Sequence, residues 1–249
     1  MTGNDPTLSS NRDAMTFLDH LSELRERLAK SVIALLVASL GAFFISKPIL
    51  KFLLVPMGDY PVIAPRPTTS IGIFMRISLL VGLLLATPVI AYQLLNFITP
   101  GLTRKERRSL YWIIPGMTIS FAGGAAFAFF VMVPAAIPFL LNFLSDVVQP
   151  TWMVDEYIPF VLTLVFWVGL SFETPLVCYF LAQLGLVSAQ DLLQGWKIAT
   201  VIIAVVSAAI TPTPDPFNMM LVMVPLLLLY LLGVLLAWIA GRRRQRRLR

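Results

Sequence analysis

The stretch VFWVGLSFETPLVCYFL, residues 165–181, contains a single charged residue, Glu173, in an otherwise uncharged and mostly apolar run. It belongs to a longer apolar segment, about residues 157–186. That segment can cross a bilayer, because roughly 20 helical residues span the ~30 Å hydrocarbon core. Ionisable residues inside such spans are costly, and they usually have a functional role. The stretch therefore predicts a transmembrane helix that carries a functional carboxyl group.

The composition of the chain also predicts a membrane protein. Hydrophobic residues make up 58% of the 249 residues and charged residues only 13%, with a mean hydropathy of +0.84. Soluble domains carry about 25% charged residues, so this chain lacks the charge to cover a soluble globule. Long charge-free runs favour helices over a β-barrel. With one cysteine, Cys178, and one histidine, His20, no disulfide framework can form, and we expect neither a metal site nor a cofactor.

Six apolar segments are predicted to be transmembrane helices, which makes this an all-α bundle. A polar tail, residues 1–15, precedes a membrane domain at 16–240, and a basic tail follows at 241–249. The predicted spans are about 28–46, 70–97, 109–137, 157–186, 198–211 and 217–240. Pro134 and Pro138 are expected to loosen the end of the third span.

The basic residues predict the orientation of the bundle. The fifth span is the weakest prediction, because its 14 residues rise only about 21 Å. Both ends of the chain are basic, and basic segments favour the cytoplasmic side, so an even number of crossings is expected. Fifteen of the 19 Lys and Arg residues then lie inside, and four lie outside: Lys47, Lys51, Arg66 and Arg76. We therefore expect a multi-pass protein of a prokaryotic cytoplasmic membrane, with both termini in the cytoplasm.

Two predicted cytoplasmic segments combine charge with helical pattern. Residues 16–30, TFLDHLSELRERLAK, repeat apolar residues every three or four positions. This pattern predicts an amphipathic helix, and it is typical of an interfacial anchor. The loop NFITPGLTRKERRSLYW, residues 96–112, holds Glu106 among basic residues. Glu106 can cap the helix that follows, or it can form an acidic pair with Glu23. Such a pair would favour arginine over lysine, because carboxylates bind guanidinium groups in a bidentate manner.

Four sequence blocks occur in order: HLSELRERL (20–28), FITPGLTRKERR (97–108), SFETP (171–175) and TPTPDPFNMM (211–220). Together with six spans, they resemble the TatC family, the signal-binding subunit of the twin-arginine protein translocase, over about residues 16–240. The resemblance implies a non-enzymatic receptor and scaffold for twin-arginine signal peptides on folded precursor proteins. It further implies export driven by the proton-motive force, TatA- and TatB-type single-span partners, and a homo-oligomeric receptor complex.

The resemblance also implies a fold and a set of functional residues. The bundle would have a concave surface, and its last two helices would be short. The implied signal-peptide binding residues are Glu23, Arg25, Phe97 and Glu106. The implied intramembrane contact for a partner or signal peptide is Glu173, and the implied outer-face positions are Pro56 and Asp215. Met219 stands where related sequences often have glutamine, so the implied partner contact is less secure there.

Other interpretations of these residues stay open at this point. Glu173 lies about 24 Å along its span, where it can face a wet concavity beside the last two helices or lie near enough to a boundary to snorkel. A proton-coupled secondary transporter would use Glu173 and Asp215, although no internal repeat is evident. An intramembrane protease is excluded because these acids are predicted at different depths. The arginine tail is expected to contact anionic lipids rather than nucleic acid.

Overall fold

The computed structural model describes residues 6–58, 60, 62–98, 104–142, 152–211 and 215–248. Its α-helices are α1 (Pro6–Leu53), α2 (Thr69–Ile98), α3 (Arg104–Phe127), α4 (Val133–Asn142), α5 (Val154–Ser171), α6 (Thr174–Leu184), α7 (Ala189–Gln194), α8 (Trp196–Ile210) and α9 (Pro216–Leu248). Five of the described segments are long and apolar enough to cross a membrane: 21–57, 69–94, 114–142, 154–184 and 216–243. The shorter apolar helix α8 supplies the sixth segment, so the prediction of an all-α membrane bundle is confirmed.

The first two helices form an antiparallel hairpin whose backbones touch. A Cβ atom placed on Gly82 of α2 would lie 2.5 Å from the Cα atom of Ser39 in α1 and 2.6 Å from its nitrogen. Further along the same interface, the hydroxyls of Ser46 and Ser78 are 2.7 Å apart and both side chains are buried. Small residues and hydroxyl pairs are the usual means of joining helices in a bilayer, where apolar burial gives no preference for a neighbouring helix over lipid.

Helix α1 starts ten residues before the amphipathic segment predicted at 16–30. Residues 6–15, predicted as part of a polar tail, are helical, and a single helix continues from Pro6 to Leu53. The amphipathic segment and the first span are therefore one element. Helix α1 packs mainly on α2, and many of its large apolar side chains are exposed, including Leu36, Val37 and Phe44.

The third span has an irregular turn where prolines were expected to loosen it. A π-helical turn, Ala128–Met132, separates α3 from α4. Pro134 has no N–H to donate to the carbonyl of Phe130, which accounts for the change of helical pattern. Earlier in the span, a Cβ atom on Gly124 would lie 2.7 Å from the ring of Phe172, whereas Gly123 has open space around it. Gly124 thus permits close packing of α3 on the fourth span.

The fourth span is broken at Glu173 rather than continuous. Helix α5 ends at Ser171 and α6 begins at Thr174, with Phe172 and Glu173 in a turn between them. Pro175 removes the hydrogen bond that an amide would donate to Ser171. The hydroxyl of Ser120 in α3 donates to the carbonyl of Phe172 at 2.7 Å. This bond satisfies one of the carbonyls at the break, as a buried backbone group requires.

The last two crossings differ in length, so the expectation that both helices are short is wrong for α9. Helix α8 has 15 residues and rises only about 22 Å, less than the hydrocarbon thickness. Helix α9 has 33 residues and continues through most of the arginine-rich tail, which was predicted to begin at residue 241. Arginine is a good helix former, so the helix does not end where its apolar span ends.

Short elements close the end of the bundle opposite the termini. After α1, Val55–Met57 form a 3₁₀ turn, and the strands β1 (Val62–Ile63) and β2 (Trp152–Met153) pair in parallel. The fully buried Tyr157 donates its hydroxyl to the carbonyl of Leu53 at 2.8 Å. This bond joins the end of α1 to the start of α5, and the main buried cluster continues inward from it along one face of α5.

We expect Gly82→Ala to destabilise the protein, because the new methyl group would overlap the backbone of Ser39. Overpacking of this kind costs about 1–3 kcal/mol or more. Gly72→Ala in the same helix is the control, since nothing lies within 4 Å of its Cβ position. It should be neutral or slightly stabilising. Thermal unfolding in detergent measures both variants, and equal unfolding temperatures would contradict the close backbone contact.

Candidate functional site

The carboxylate of Glu23 already binds a guanidinium group within the chain. Its Oε1 atom accepts hydrogen bonds from Arg27 Nη2 at 2.8 Å and Arg27 Nε at 3.1 Å. Oε2 accepts none from any residue in the described part of the chain. Both side chains are partly exposed, with 29% and 26% of the surface of Glu23 and Arg27 accessible. Within the described part of the chain, Oε2 of Glu23 is therefore left for a second donor.

Gln93 ties this ion pair to the second helix. Arg27 donates from Nη1 to Gln93 Oε1 at 3.3 Å, so one guanidinium group bridges α1 and α2. Phe97 lies one helical turn after Gln93 on α2 and is half-buried, so both side chains share a face of the helix. The result is a polar group beside an aromatic ring at the end of the bundle that contains the N-terminus.

Arg25 and Glu26 lie on the same turn of α1 but outside this arrangement. Glu26 pairs with Lys30 at 2.6 Å and both are exposed. Arg25 is exposed and forms no ion pair with another described residue. Of the two neighbouring glutamates, only Glu23 is thus joined through Arg27 to α2.

The distance between Glu23 and Glu106 lies outside what the structure describes. Glu106 is the third residue of α3, but its side chain is not among those described, and neither are residues 99–103 of the loop before it. Helix α3 packs against α2. The acidic pair of Glu23 and Glu106 remains a prediction.

Glu173 is almost fully buried at the break between α5 and α6. Only 7% of its surface is accessible, and neither carboxylate oxygen has a hydrogen-bond partner among the described residues. The carboxyl group lies against the backbone of Phe121 in α3. A buried carboxyl group without a partner costs free energy, and such residues within membranes are usually functional.

The cavity beside α8 and α9 is lined by the neighbours of Glu173 and not by Glu173 itself. This cavity of about 280 Å³ is bordered by Ser171 and Thr174 at the helix break, by Ile202 and Val206 of α8, and by Tyr230 of α9. Residues 171 and 174 share a helical face that Glu173 does not share. Glu173 therefore does not line this cavity, and the expectation that it faces a wet concavity stays a prediction.

Pro56 and Asp215 lie at the end of the bundle opposite the termini. Pro56 is in the 3₁₀ turn that places the buried Met57. Asp215 precedes α9, where its Oδ1 accepts from the Asn218 backbone N–H and its Oδ2 from the Asn218 side-chain amide, both at 2.8 Å. Asp215 therefore acts as an N-cap for α9. Met219, which follows Asn218 in the chain, is half-buried.

Gln93 and Asn218 were not predicted to take part in these contacts. Gln93 is a polar residue within the long apolar second span, and that contrast is the signal that could have identified it. Asn218 lies three residues after Asp215 and is 2% exposed, but a single sequence gives no sign that it bonds the aspartate. In the described residues no group of three His, Cys, Asp or Glu side chains is arranged to hold a metal ion.

The sequence profile of the family described as Sec-independent protein translocase protein (TatC) matches residues 19–225. The chain belongs to the TatC family. Several relatives extend this finding over nearly the whole chain. A chloroplastic Sec-independent translocase protein TATC of Arabidopsis thaliana is 41% identical over 230 residues, which cover 92% of this chain and 68% of that relative. TatC of Aquifex aeolicus is 38% identical over 237 residues, covering 93% and 98%.

A solved structure has the same fold as this TatC-family chain. The crystal structure described as the twin arginine translocase receptor TatC aligns with a TM-score of 0.81 and 38% identity, over 89% of this chain and 99% of that one. The chain spans only 64–68% of the plant chloroplast relatives it matches, so those proteins contain additional sequence. Family membership and the long apolar helices make this a multi-pass membrane protein.

We expect Glu173→Leu to raise the thermal unfolding temperature, because it removes a buried carboxyl group that no described residue pairs with. An unsatisfied buried polar group costs about 1–3 kcal/mol. Tyr157→Phe is the matched comparison, since it removes a buried hydroxyl that has a partner, the carbonyl of Leu53. It should lower stability by about 1 kcal/mol. If Glu173→Leu is the more destabilising of the two, the carboxyl group has a stabilising partner.

Proposed function

We propose that this chain is the receptor and scaffold subunit of a twin-arginine translocation system. In this role it binds the signal peptides of folded precursor proteins through their paired arginines. Together with TatA- and TatB-type single-span subunits, it mediates export across the membrane at the expense of the proton-motive force. The observation that supports this most directly is the geometry of Glu23, which holds one guanidinium group and keeps a second oxygen available.

Arginine recognition follows from the chemistry of this site. A guanidinium group offers five donors in a planar fork, whereas lysine offers a compact ammonium group. Oε2 of Glu23 would accept from one arginine of the peptide while Arg27 stays on Oε1. Glu106 would pair with the other arginine, and Phe97 would lie against the apolar stems of the two side chains. Arg25, on the same turn of α1, completes the proposed signal-peptide contacts.

Arg27 neutralises the negative charge of Glu23 when no signal peptide is bound. Its bond to Gln93 fixes the guanidinium between the two helices. With Arg27 in place, Glu23 carries no isolated charge before a peptide arrives. At Glu23 the ligand must therefore bond to Oε2 alone, because Oε1 stays bonded to Arg27. A paired-arginine peptide meets that requirement with charge-assisted hydrogen bonds on two carboxylates.

Glu173 is proposed to form a second contact with a partner helix or a signal peptide, deeper in the membrane. It is buried and has no hydrogen-bond partner among the described residues, and it lies at the break between α5 and α6. A partner helix or an inserted signal peptide would supply the missing donor.

We further propose that Pro56 and Asp215 support contacts on the opposite face of the membrane. We also propose that several copies of the chain assemble, and that both termini lie in the cytoplasm of a prokaryote.

The alternative of a proton-coupled transporter receives no support from the relatives. The structure also argues against a shared proton site for Glu173 and Asp215. Asp215 caps the start of α9 and is bonded to Asn218. Glu173 follows the start of α5 by 19 residues, about 28 Å along the helix direction. The two carboxyl groups lie on different spans at different depths.

We expect Glu173→Leu to bind a paired-arginine peptide normally and yet to lose its deep contacts. The substitution leaves the region of Glu23 and Gln93 unchanged, but it removes the buried acceptor. The measurement is photo-crosslinking from positions beside residue 173 to an inserted signal peptide or a single-span subunit, together with export. Wild-type crosslinks and wild-type export in this variant would show that Glu173 has no role in contacting the signal peptide or a partner helix.

The main test is the affinity of the purified protein for a paired-arginine signal peptide. Charge-assisted hydrogen bonds contribute about 1.5–3 kcal/mol when well formed and less when exposed. Since each ~1.4 kcal/mol changes affinity tenfold, Glu106→Gln should weaken binding by about tenfold or more. Glu23→Gln should have a similar or smaller effect, and adding Phe97→Ala should worsen either variant.

Glu26→Gln is the matched control for this test. Glu26 is three residues from Glu23 on the same helix, and among the described residues its ion pair is with the exposed Lys30. Its substitution should leave peptide affinity within about twofold of wild type, since exposed pairs contribute little. Thermal unfolding shows whether each variant is folded. Wild-type affinity in Glu106→Gln, or an equal loss in Glu26→Gln, would contradict the assigned recognition site.

A further inference from the structure

A groove of about 390 Å³ opens between α2 and α5, away from the candidate recognition site. Its volume is within the range of small-molecule pockets, about 300–1,000 Å³. The groove is lined by one face of each helix, including Leu79 and Leu83 from α2 and Leu162, Phe166 and Trp167 from α5. Leu79 and Trp167 are 54% and 41% exposed, so the groove is open to the surroundings of the bundle.

Among the described residues that line this groove, Arg76 is the one with a charged side chain. It is exposed, and none of the described residues forms an ion pair with it. An arginine in a transmembrane helix is costly unless its head group reaches an interface or a counter-charge. Here it stands at one end of a groove whose other side chains are almost all apolar.

The depth of the groove corresponds to one leaflet of a bilayer. Helix α2 has 30 residues, about 45 Å, so a centred ~30 Å hydrocarbon core leaves roughly 7 Å at each end. Arg76 is seven residues from the start of α2, about 10 Å, and therefore lies just inside the core. Leu83, about 21 Å along, lies close to the midplane. The groove thus runs from the head-group level to the centre of the membrane.

We propose that this groove binds an anionic phospholipid of the leaflet that faces away from the termini. The phosphate pairs with the guanidinium of Arg76, which can donate two parallel hydrogen bonds to it. An acyl chain lies along the leucines of α2 and against Phe166 and Trp167. An anionic head group such as phosphatidylglycerol is preferred over a zwitterionic one, because no ammonium group of its own offsets the attraction to Arg76.

The charge and shape of the groove favour a lipid over its other occupants. Water gains few hydrogen bonds in a groove with apolar walls. The helix of a partner protein would need a carboxyl group placed near the membrane interface to pair with Arg76. A phospholipid brings a phosphate and an apolar chain in the required order and spacing, and it is present at high concentration in the leaflet.

Trp167 allows the groove to be tested by fluorescence. The full-length protein in detergent is titrated with phosphatidylglycerol or phosphatidylcholine that carries brominated acyl chains, which quench nearby tryptophans. The part of the signal due to Trp167 is the difference between wild type and Trp167→Phe. We expect half-maximal quenching at about a fivefold lower fraction of phosphatidylglycerol, since one basic residue near an anionic lipid contributes ~1 kcal/mol.

Arg76→Gln should remove the preference for phosphatidylglycerol, and Arg76→Lys should retain part of it. Arg66→Gln is the matched control, since Arg66 lies at the same end of the bundle but does not line this groove. It should leave the preference unchanged. Raising the salt concentration should weaken the preference in wild type, which tests the charge interaction without any variant.

Equal half-maximal fractions for the two lipids in wild type, or an unchanged preference in folded Arg76→Gln, would overturn the proposal. Absence of quenching at Trp167 by either lipid, with crosslinking from residue 167 to a single-span subunit instead, would also overturn it. That result would assign the groove to a protein helix.

Discussion

Gly82 lets the backbones of α1 and α2 touch, and the placement of the proposed recognition site depends on this contact. Helix α1 packs mainly on α2 and exposes much of its remaining surface. Its position in the bilayer is therefore set by a few interactions along one stripe: the Gly82–Ser39 contact, the buried Ser46–Ser78 hydroxyl pair, and the Arg27–Gln93 bond. Because these contacts fix the rotation and height of α1, they also decide where Glu23 presents its carboxylate.

Glu23 and Glu173 lie in opposite environments: Glu23 is partly exposed and bonded to a guanidinium group, whereas Glu173 is buried. Glu23 is partly exposed and bonded to a guanidinium group within the chain, so its charge is compensated and still accessible. Glu173 is buried with no partner in the described residues, at a point where Pro175 has already interrupted the helix. The first arrangement suits reversible recognition of an arginine-containing ligand. The second fits a position whose hydrogen-bond partner arrives with another molecule.

Much of the fold could be predicted from the sequence because apolar length and basic loops carry most of the information in a membrane protein. The all-α membrane fold was predicted correctly, with five long apolar segments and a shorter apolar helix in the described part of the chain. The break at Glu173 and the length of α9 could not be predicted from hydropathy. Pro175 is one of several prolines in the apolar segments, and many of the others lie inside continuous helices, such as Pro88 and Pro225. Likewise, the arginines after residue 241 end the apolar span of α9 but do not end the helix, which continues to Leu248.

The site was only partly predictable, for a related reason. An i,i+4 spacing predicts the bond between Glu23 and Arg27, but no local pattern reveals that Gln93, 66 residues further on, accepts from the same arginine. The direction in which Glu173 points depends on the rotation of α6 after the break, which a straight helix would not give. Long-range contacts and helix rotation are set by packing, so they become visible only in three dimensions.

We propose that Glu23 and Glu106 together bind the paired arginines of a signal peptide. A double-mutant cycle tests it most directly, with wild type and Glu23→Gln each titrated with a paired-arginine peptide and its paired-lysine counterpart. The same cycle is then repeated for Glu106→Gln. We expect a strong arginine preference in wild type that falls by about tenfold in each variant, because the carboxylate that favours arginine is gone. An arginine preference that is unchanged in both folded variants would contradict it.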